Sequence, residues 1–516
     1  RIDGLPAGLP PGRIFDFGNW RKGGAGKFLE DKQEIQRRIL EATSIARSGP
    51  RLELAHFYFA HGLSADAIGL LRTIETEDED LSRRPDVKAL RGAAQMMLGR
   101  YTEAEADLMD RNLNGLSEAE LWRGATKASQ GRWPEAVEHF ARAGEIPGGY
   151  PRNFATQLAL LAAEGAIRVE DFRGAATFID VVADGQPTQA ERARLDFLRG
   201  RILYASGDID TALDYWRRLS KGEERWSRVL SERALVEHGL ITGEISRMDA
   251  IAALESLRYT WRGDQVEFDL LRKLGKLYLE EDEYADGLNA LREAVTFFPD
   301  NLFAAEVAEE MTDAFSLVFT EGGSDKMTSI EALSLYDQFR ELTPVGARGD
   351  EIIQRLADRL VQVDLLDRAS ILLERQVKFR LQGSKKARVG ARLALIRLLD
   401  RRPEEALVAL DESVAPGMSA DLALERRRLR ARAEFELGDA DGALRLLAGD
   451  QSRDADLLRA DIFWRTQRWA QAAGVFQRLV GRSGQDGRRI DDRAAILILN
   501  WAVSLSLSSN IEQLSR

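Results

Sequence analysis

Cysteine is absent from all 516 residues. That single absence removes disulfides, thiolate nucleophiles and cysteine-ligated metal sites, and it suits an exported chain that carries no stray thiols into an oxidising compartment. Proline is scarce, at 13 residues, so few positions break a helix. Histidine is scarcer still. His56, His61, His139 and His238 stand in no HExxH or HxH arrangement, which leaves zinc hydrolysis without a ligand set. Positive charge falls short: 73 Lys and Arg face 84 Asp and Glu, for a net charge of -11 and a pI near 5.3. An acidic chain disfavours nucleic acid as the main partner and anionic membranes as a docking surface. No apolar run reaches the roughly 20 residues that span a bilayer. The nearest, "AAILILNWAVSLSL" from Ala494 to Leu507, is interrupted by Asn500 and reads as a buried helix. A chain opening at Arg1 with no secretory signal is expected to be a mature or excised portion. The periplasm is the expected compartment, with the cytoplasm as the alternative.

What is present points to helices. Hydrophobic residues make up 44% and charged residues 30% of the chain, a composition of ordered, water-compatible chains. At 57.7 kDa it is too long for one compact core, so several domains or a repeat array is expected. The stretch "LGKLYLEEDEYADGLNALREAVTFFPD" (274–300) resolves the choice. Leu271, Leu274 and Tyr278 mark one helical stripe and Leu288, Leu291 and Val295 a second, with the polar "EEDE" between them. This is an antiparallel helical hairpin. Each of its glycines, Gly275 and Gly287, costs about 1 kcal/mol against alanine; both are read as the crossing point where a side chain would hold the two backbones apart. A small-residue beacon recurs at Ala67, Ala104, Ala136, Ala175, Ala212, Ala250, Gly287, Ala332, Ala369, Ala406, Ala443 and Ala472, and six of the eleven gaps are 37 residues. Aromatics three residues before the beacon (Tyr101, Trp133, Phe172, Tyr284, Trp469) and bulky residues four after it (Phe140, Trp216, Tyr336, Phe476) are read as inter-helix core.

The quoted hairpin resembles the tetratricopeptide repeat (TPR) family at Leu274, Gly275, Tyr278, Tyr284, Gly287, Leu291, Ala294 and Pro299. The likeness covers roughly residues 50 to 480. It implies an all-α, right-handed α-solenoid of about twelve TPR-like hairpins, each stabilised by its neighbours. Residues 1–28, rich in Gly and Pro, are expected to be a linker or an extended strap; 29–300 an N-terminal array; 301–330 an irregular unit with the polar insertion "TEGGSDKMTS" (Thr320 to Ser329); 331–480 a C-terminal array; and 481–516 a terminal helix or the start of a further repeat. The apolar face of that last segment favours continuation of the natural chain.

A search for chemistry finds none. "GGAGK" (23–27) fails as a phosphate loop, because Arg21 stands where a glycine is needed and Phe28, not Ser or Thr, follows Lys27. "ETEDED" (Glu75 to Asp80) lacks the glycine of a calcium loop. No GxSxG or dinucleotide fingerprint occurs. Catalytic residues, metal ligands and cofactors are therefore expected to be none.

Binding is the better expectation. In the TPR family the first helices line a concave groove that holds protein segments. Its carboxylate clamp finds Arg272 and Lys276 in place here, but not the clamp's asparagines. A sharper candidate is "ERRRLRARAEFEL", where Arg428, Arg432 and Phe435 share one helix face. With Arg388 and Arg392 from the unit before and Trp464 and Arg465 from the unit after, these would form a basic groove with interleaved aromatics. The bland alternative is a solvated face of intrahelical Glu–Arg pairs. The expected function is a non-catalytic protein–protein interaction scaffold whose partners are other proteins, with no nucleic acid and no membrane span. Stretches such as "LRYTWRGD" and "YDQFRELTP" resemble long alphaproteobacterial TPR proteins of the cell envelope, which implies a place in an envelope machine such as a flagellar motor or export apparatus. The alternatives are the substrate-recruiting region of an enzyme whose catalytic domain lies outside these residues, and a cytosolic peptide-binding regulator.

Overall fold

The computed structural model describes residues 9–483 and 492–508, and no strand occurs among them. The chain divides into two compact units, 1–309 and 310–516. Hairpins 1 to 7 of the first unit are Ser48–Ala60 with Ser64–Glu77, Pro85–Met97 with Tyr101–Leu108, Ser117–Ser129 with Trp133–Ala143, Arg152–Arg168 with Phe172–Asp184, Gln189–Ala205 with Ile209–Leu219, Arg225–Thr242 with Arg247–Thr260, and Gln265–Glu280 with Tyr284–Phe297. Hairpin 8, Ala304–Thr320 with Ser329–Gln338, contains the division. Hairpins 9 to 12 are Ala347–Gln362 with Leu366–Phe379, Gly383–Leu399 with Pro403–Glu412, Ala420–Glu436 with Ala440–Leu447, and Arg453–Arg465 with Trp469–Ser483. Helix Asp492–Leu507 follows. The molecule is an α-solenoid of helical hairpins.

The beacon has one structural meaning throughout. In all twelve hairpins among the described residues it is the fourth residue of the second helix, and it is buried every time. In the ten hairpins with a three-residue turn, a second small residue lies twelve positions earlier on the first helix: Ala55, Gly92, Gly124, Ala163, Gly200, Gly275, Ala357, Ala394, Ala431 and Ala460. The two small residues face each other. A Cβ on Gly275 would stand 2.6 Å from Leu291 and 3.1 Å from the Gly287 carbonyl, and one on Gly287 would stand 3.0 Å from the Gly275 carbonyl. Close approach of the backbones, and the side-chain packing it permits, offset the helix-propensity loss of each glycine.

The ten short turns share a second device. The middle residue is left-handed in each, a glycine at Gly62, Gly99, Gly131, Gly207 and Gly438 but Glu170, Asp282, Asp364, Arg401 and Gln467 elsewhere. The following amide reaches back five residues, as from Leu63 to the Tyr58 carbonyl and from Arg468 to the Phe463 carbonyl. This is the Schellman closure, which satisfies carbonyls that a helix end would otherwise leave open.

Neighbouring hairpins are latched by ion pairs one repeat apart. Arg392 meets Asp358 at 2.9 Å and Arg348 meets Asp313 at 2.9 Å in the second unit, across 34 and 35 residues. Arg247 meets Glu281 at 3.1 Å in the first, across 34. The eight-residue insertion of hairpin 8 is held from the next hairpin by hydrogen bonds instead, with Arg355 donating to the Thr320 carbonyl at 3.0 Å and Arg359 to the Ser324 and Met327 carbonyls.

Three expectations need amending. Residues 14–20 are drawn into the first unit's core, where Ile14, Phe15 and Phe17 are buried. The segment Ala494–Leu507 is helical but only half covered: Leu497, Ser504 and Leu505 are buried against the last hairpin, whereas Ile496 and Leu499 are exposed. Among the beacon aromatics, Phe140, Trp216, Tyr336 and Phe476 are core, as their position after the beacon implies. Those before it are only half-buried, because they sit in the first turn of the second helix, beside the turn that closes the hairpin.

Candidate protein-binding grooves

First helices of successive hairpins lie side by side, so side chains at repeating positions converge into grooves. In the second unit, hairpins 9 to 11 build one of about 650 Å³, whose lining includes Gln354, Asp358, Arg388, Arg392, Leu395, Asp421, Glu425 and Arg428. Three of the arginines singled out from the sequence, Arg388, Arg392 and Arg428, therefore share one groove. Its character differs from the expectation, because carboxylates rather than aromatics interleave them. Arg392 is paired with Asp358. Arg428 donates to Asp450 at 2.9 Å and to Ser452 at 3.3 Å. Burial pushes the Asp450 carboxyl up, but hydrogen bonds from Ser452 and Arg428 outweigh it and hold the group below the usual carboxylate range. Arg388 is exposed and has no ion pair among the described residues.

The rest of the sequence-derived set lies elsewhere. Arg432 pairs within its own helix with Glu436 at 3.2 Å, and Arg465 with Asp461 at 3.0 Å. Phe435 packs into the core of hairpin 11 beneath the Arg465 guanidinium, 5.8 Å from its ring centre. Trp464 packs edge-on against Trp469 at 5.4 Å and Phe476 at 6.0 Å in the core of hairpin 12. The physical reason is local. Each of these side chains finds a partner within its own hairpin before it can reach the groove. The neighbouring Arg426 is not a surface residue at all. Its guanidinium is buried, donates to the Ala387 and Leu410 carbonyls and to Ser413 Oγ, and ties hairpin 11 to hairpin 10.

The first unit holds a larger groove that sequence reading missed. It measures about 1030 Å³ and is lined by the first helices of hairpins 4 to 7 with the turns of hairpins 2 and 3. Two of its aromatics are the half-buried beacon residues Tyr101 and Trp133. Arg168 lies 4.4 Å over the Trp133 ring and Arg194 5.4 Å over Trp226. The charges are largely matched within the wall: Arg168 with Glu164 at 2.9 Å, and Arg233 with Glu237 at 2.8 Å and Asp269 at 3.5 Å. The buried Gln130 Oε1 in this lining has no hydrogen-bond partner. The signal that could have found the groove is the exposed-side spacing of the beacon aromatics, read as core instead. The clamp-like Arg272 is engaged by Glu306 and by the Phe303 ring, 5.9 Å away.

His139 is buried, with Nδ1 2.6 Å from Glu120, which also accepts from Arg123 and Arg142. This is a structural network joining the two helices of hairpin 3. No group of three or more potential metal ligands occurs among the described residues, and no helix among them is long and apolar enough to cross a membrane.

Residues 423–487, which span hairpins 11 and 12, match the tetratricopeptide repeat family. No curated protein matches the chain. Among solved structures the chain is similar to a Rap protein complexed with Competence and Sporulation Factor, at 15% identity and a TM-score of 0.40 over 68% of this chain and 99% of that one. It is also similar to a human IFIT1 dimer with m7Gppp-AAAA (16%, TM-score 0.34, 81% and 91%) and to the TPR domain of P58(IPK) (13%, TM-score 0.25, 90% and 99%). Likeness at this level says nothing of ligand. Residues 423–487 thus carry tetratricopeptide repeats, and eight further hairpins repeat the same paired small residues and closed turns.

Proposed function

We propose that this repeat protein is a non-catalytic scaffold that holds segments of other proteins against its first-helix grooves. The observation that carries this reading is the convergence of Arg388, Arg392 and Arg428 from two successive first helices on one open groove of about 650 Å³, with Asp358, Asp421 and Glu425 interleaved. A wall of alternating sign favours a partner segment that carries both charges, and charge complementarity then sets register and on-rate more than affinity. Arginine is enriched at interface hot spots, and Arg388 is the guanidinium here without an ion pair to break.

The test is site-specific photo-crosslinking in the intact protein. A crosslinker at Arg388 or Leu395 should capture a common partner, and one at Val408, exposed on a second helix, should not. Arg388→Glu should lower recovery of that partner at least fivefold. Equal capture from Val408, or recovery untouched by Arg388→Glu, overturns the groove assignment. Arg428→Glu is a poorer probe, because it would also strip the buried Asp450 of its partner.

We further propose a periplasmic placement, in an envelope machine such as a flagellar motor or export apparatus. Support comes from the missing cysteines and from the sequence resemblance to alphaproteobacterial envelope TPR proteins. Fractionation of cells expressing the intact gene tests it, and recovery of the protein with cytoplasmic markers would sink it.

A further inference from the structure

Residues 12–20 belong to no hairpin, yet they are packed into the first unit's core. They lie across the first helices of hairpins 1, 3 and 4, the face on which hairpins 9 to 11 carry an open groove in the second unit. The contact is read through the backbone. The Glu118 carboxylate accepts from the Ile14 and Phe15 amides, the latter at 2.9 Å, while the Glu118 amide donates to the Gly12 carbonyl at 3.2 Å. Side chains supply the selectivity. Phe15 meets Phe59 and Trp122 at 6.0 Å, Phe17 meets Tyr150 at 4.7 Å and Phe154 at 5.9 Å, and Trp20 stacks on His56 at 4.0 Å with the rings 9° apart. Arg13 donates to Glu118 at 3.2 Å and to the Gly148 carbonyl at 3.3 Å.

Two features mark this segment as an occupant rather than another repeat element. Glu118 is fully buried on helix Ser117–Ser129, and its cationic partner among the described residues is Arg13 of the segment itself. The paired small residues that join each hairpin, Ala55 with Ala67 and Gly124 with Ala136, involve no residue of the segment. The segment runs into helix Phe28–Glu41, which precedes the first hairpin, through a turn in which Lys22 and Gly24 are both left-handed.

We propose that residues 12–20 are a ligand in cis. The first-helix face of hairpins 1, 3 and 4 is a binding site for a polypeptide segment that ends in one helical turn and carries a basic residue, an aliphatic residue, and two aromatics one residue apart, and the chain fills that site with its own Arg13, Ile14, Phe15 and Phe17. Glu118 reads the backbone of the bound segment and the Phe59–Trp122–Phe154 cluster reads its aromatics. A protein segment of the same chemistry competes for this place. The proposal does not depend on the second unit's groove, so either can fail alone.

Hydrogen exchange on the intact protein tests separability. The Ile14 and Phe15 amides should exchange at least tenfold faster than those of Leu121 to Ala125, through an opening that leaves helix Ser117–Ser129 protected. Exchange of both sets in step would make the segment an integral part of the core and overturn the proposal. The second arm is binding. A fluorescent peptide of residues 9–22 should bind the full-length Phe15→Ala/Phe17→Ala protein and leave wild type untouched, and a peptide with both phenylalanines replaced should bind neither. No binding to a double variant of wild-type helicity likewise overturns it. Should that variant fail to fold, Arg13→Ala takes its place, and the exchange comparison decides on wild type alone.

Discussion

At the residue scale the repeat rests on two conformational demands, and each yields a measurement. The first is the left-handed turn residue. An L-residue there is disfavoured by about 1 kcal/mol or more, which glycine avoids. Arg401 and Gln467 stand at φ 59° and 57° without the short polar side chain that eases the position for Asp282 and Asp364. Arg401→Gly and Gln467→Gly should each stabilise the second unit by about 1 kcal/mol in urea unfolding followed by circular dichroism, net of the entropy glycine adds to the unfolded chain. The second demand is closeness. Gly275→Ala gains about 1 kcal/mol of helix propensity but drives a methyl to 2.6 Å from the buried Leu291 and 3.1 Å from a backbone carbonyl. Overpacking of about 1–3 kcal/mol should win, because the carbonyl cannot step aside. A net loss of about 1 kcal/mol or more is expected, and a gain would refute the packing account. His56 offers a pH test. Burial, with the nearby Arg84 charge, pushes its pKa down to about 3, whereas the unfolded chain takes up the proton near 6.5. The unfolded state thus binds more protons between about pH 3 and 6.5, so this residue's contribution is whole above pH 6.5 and fades as pH falls through that window. The loss is at most about 1.4 kcal/mol per pH unit. His56→Gln should flatten the pH 5–7 slope of the first unit's stability relative to wild type, read by tryptophan fluorescence.

At the element scale the arginines of helix Ala420–Glu436 show what sequence can and cannot say. The run "ERRRLRARAEFEL" announces a helix with a basic stripe, and the helix is there. What each arginine does depends on which hairpin lies opposite. Arg426 satisfies two carbonyls and a hydroxyl of hairpin 10 from a buried position, whereas Arg430 meets Asp411 near the surface. Arg426→Met removes three buried charge-assisted hydrogen bonds that tie hairpin 11 to hairpin 10 and should cost the second unit about 2–4 kcal/mol. Arg430→Ala should change it by about 0.5 kcal/mol or less, as surface pairs do. Comparable effects from the two would show that position relative to the neighbouring hairpin is not what decides. Phe435 and Trp464 instead find their partners within their own hairpins' cores, and Arg388, with none there, stays in the groove.

At the scale of the whole molecule the two units are tied differently. In the second, the hydrogen bond from Arg426 to the Ala387 carbonyl spans 39 residues, close to one repeat. In the first, Gly131 of hairpin 3 abuts Gln265 of hairpin 7, three and a half repeats on. Arrays held by nearest-neighbour contacts open piecemeal, and long-range contacts bind hairpins into one cooperative block. Amide exchange should therefore be graded from hairpin to hairpin across hairpins 9–12 and uniform across helices of hairpins 3–7. A uniform second unit would contradict this.

The helical hairpin, its period and its small-residue crossing points were all legible in the chain, because they are local: a helix stripe, a left-handed turn and a pair of small residues twelve apart lie within some thirty residues of each other. The grooves were legible only in part. Arg388, Arg392 and Arg428 share one because the 37-residue period returns them to the same helix face. The larger groove of the first unit, the burial of Glu118 and the lodging of Phe15 and Phe17 against Trp122 and Phe154 were decided by tertiary structure alone. They depend on which distant hairpins the stacking brings together, and periodicity, which describes each hairpin against its neighbour, carries no record of that.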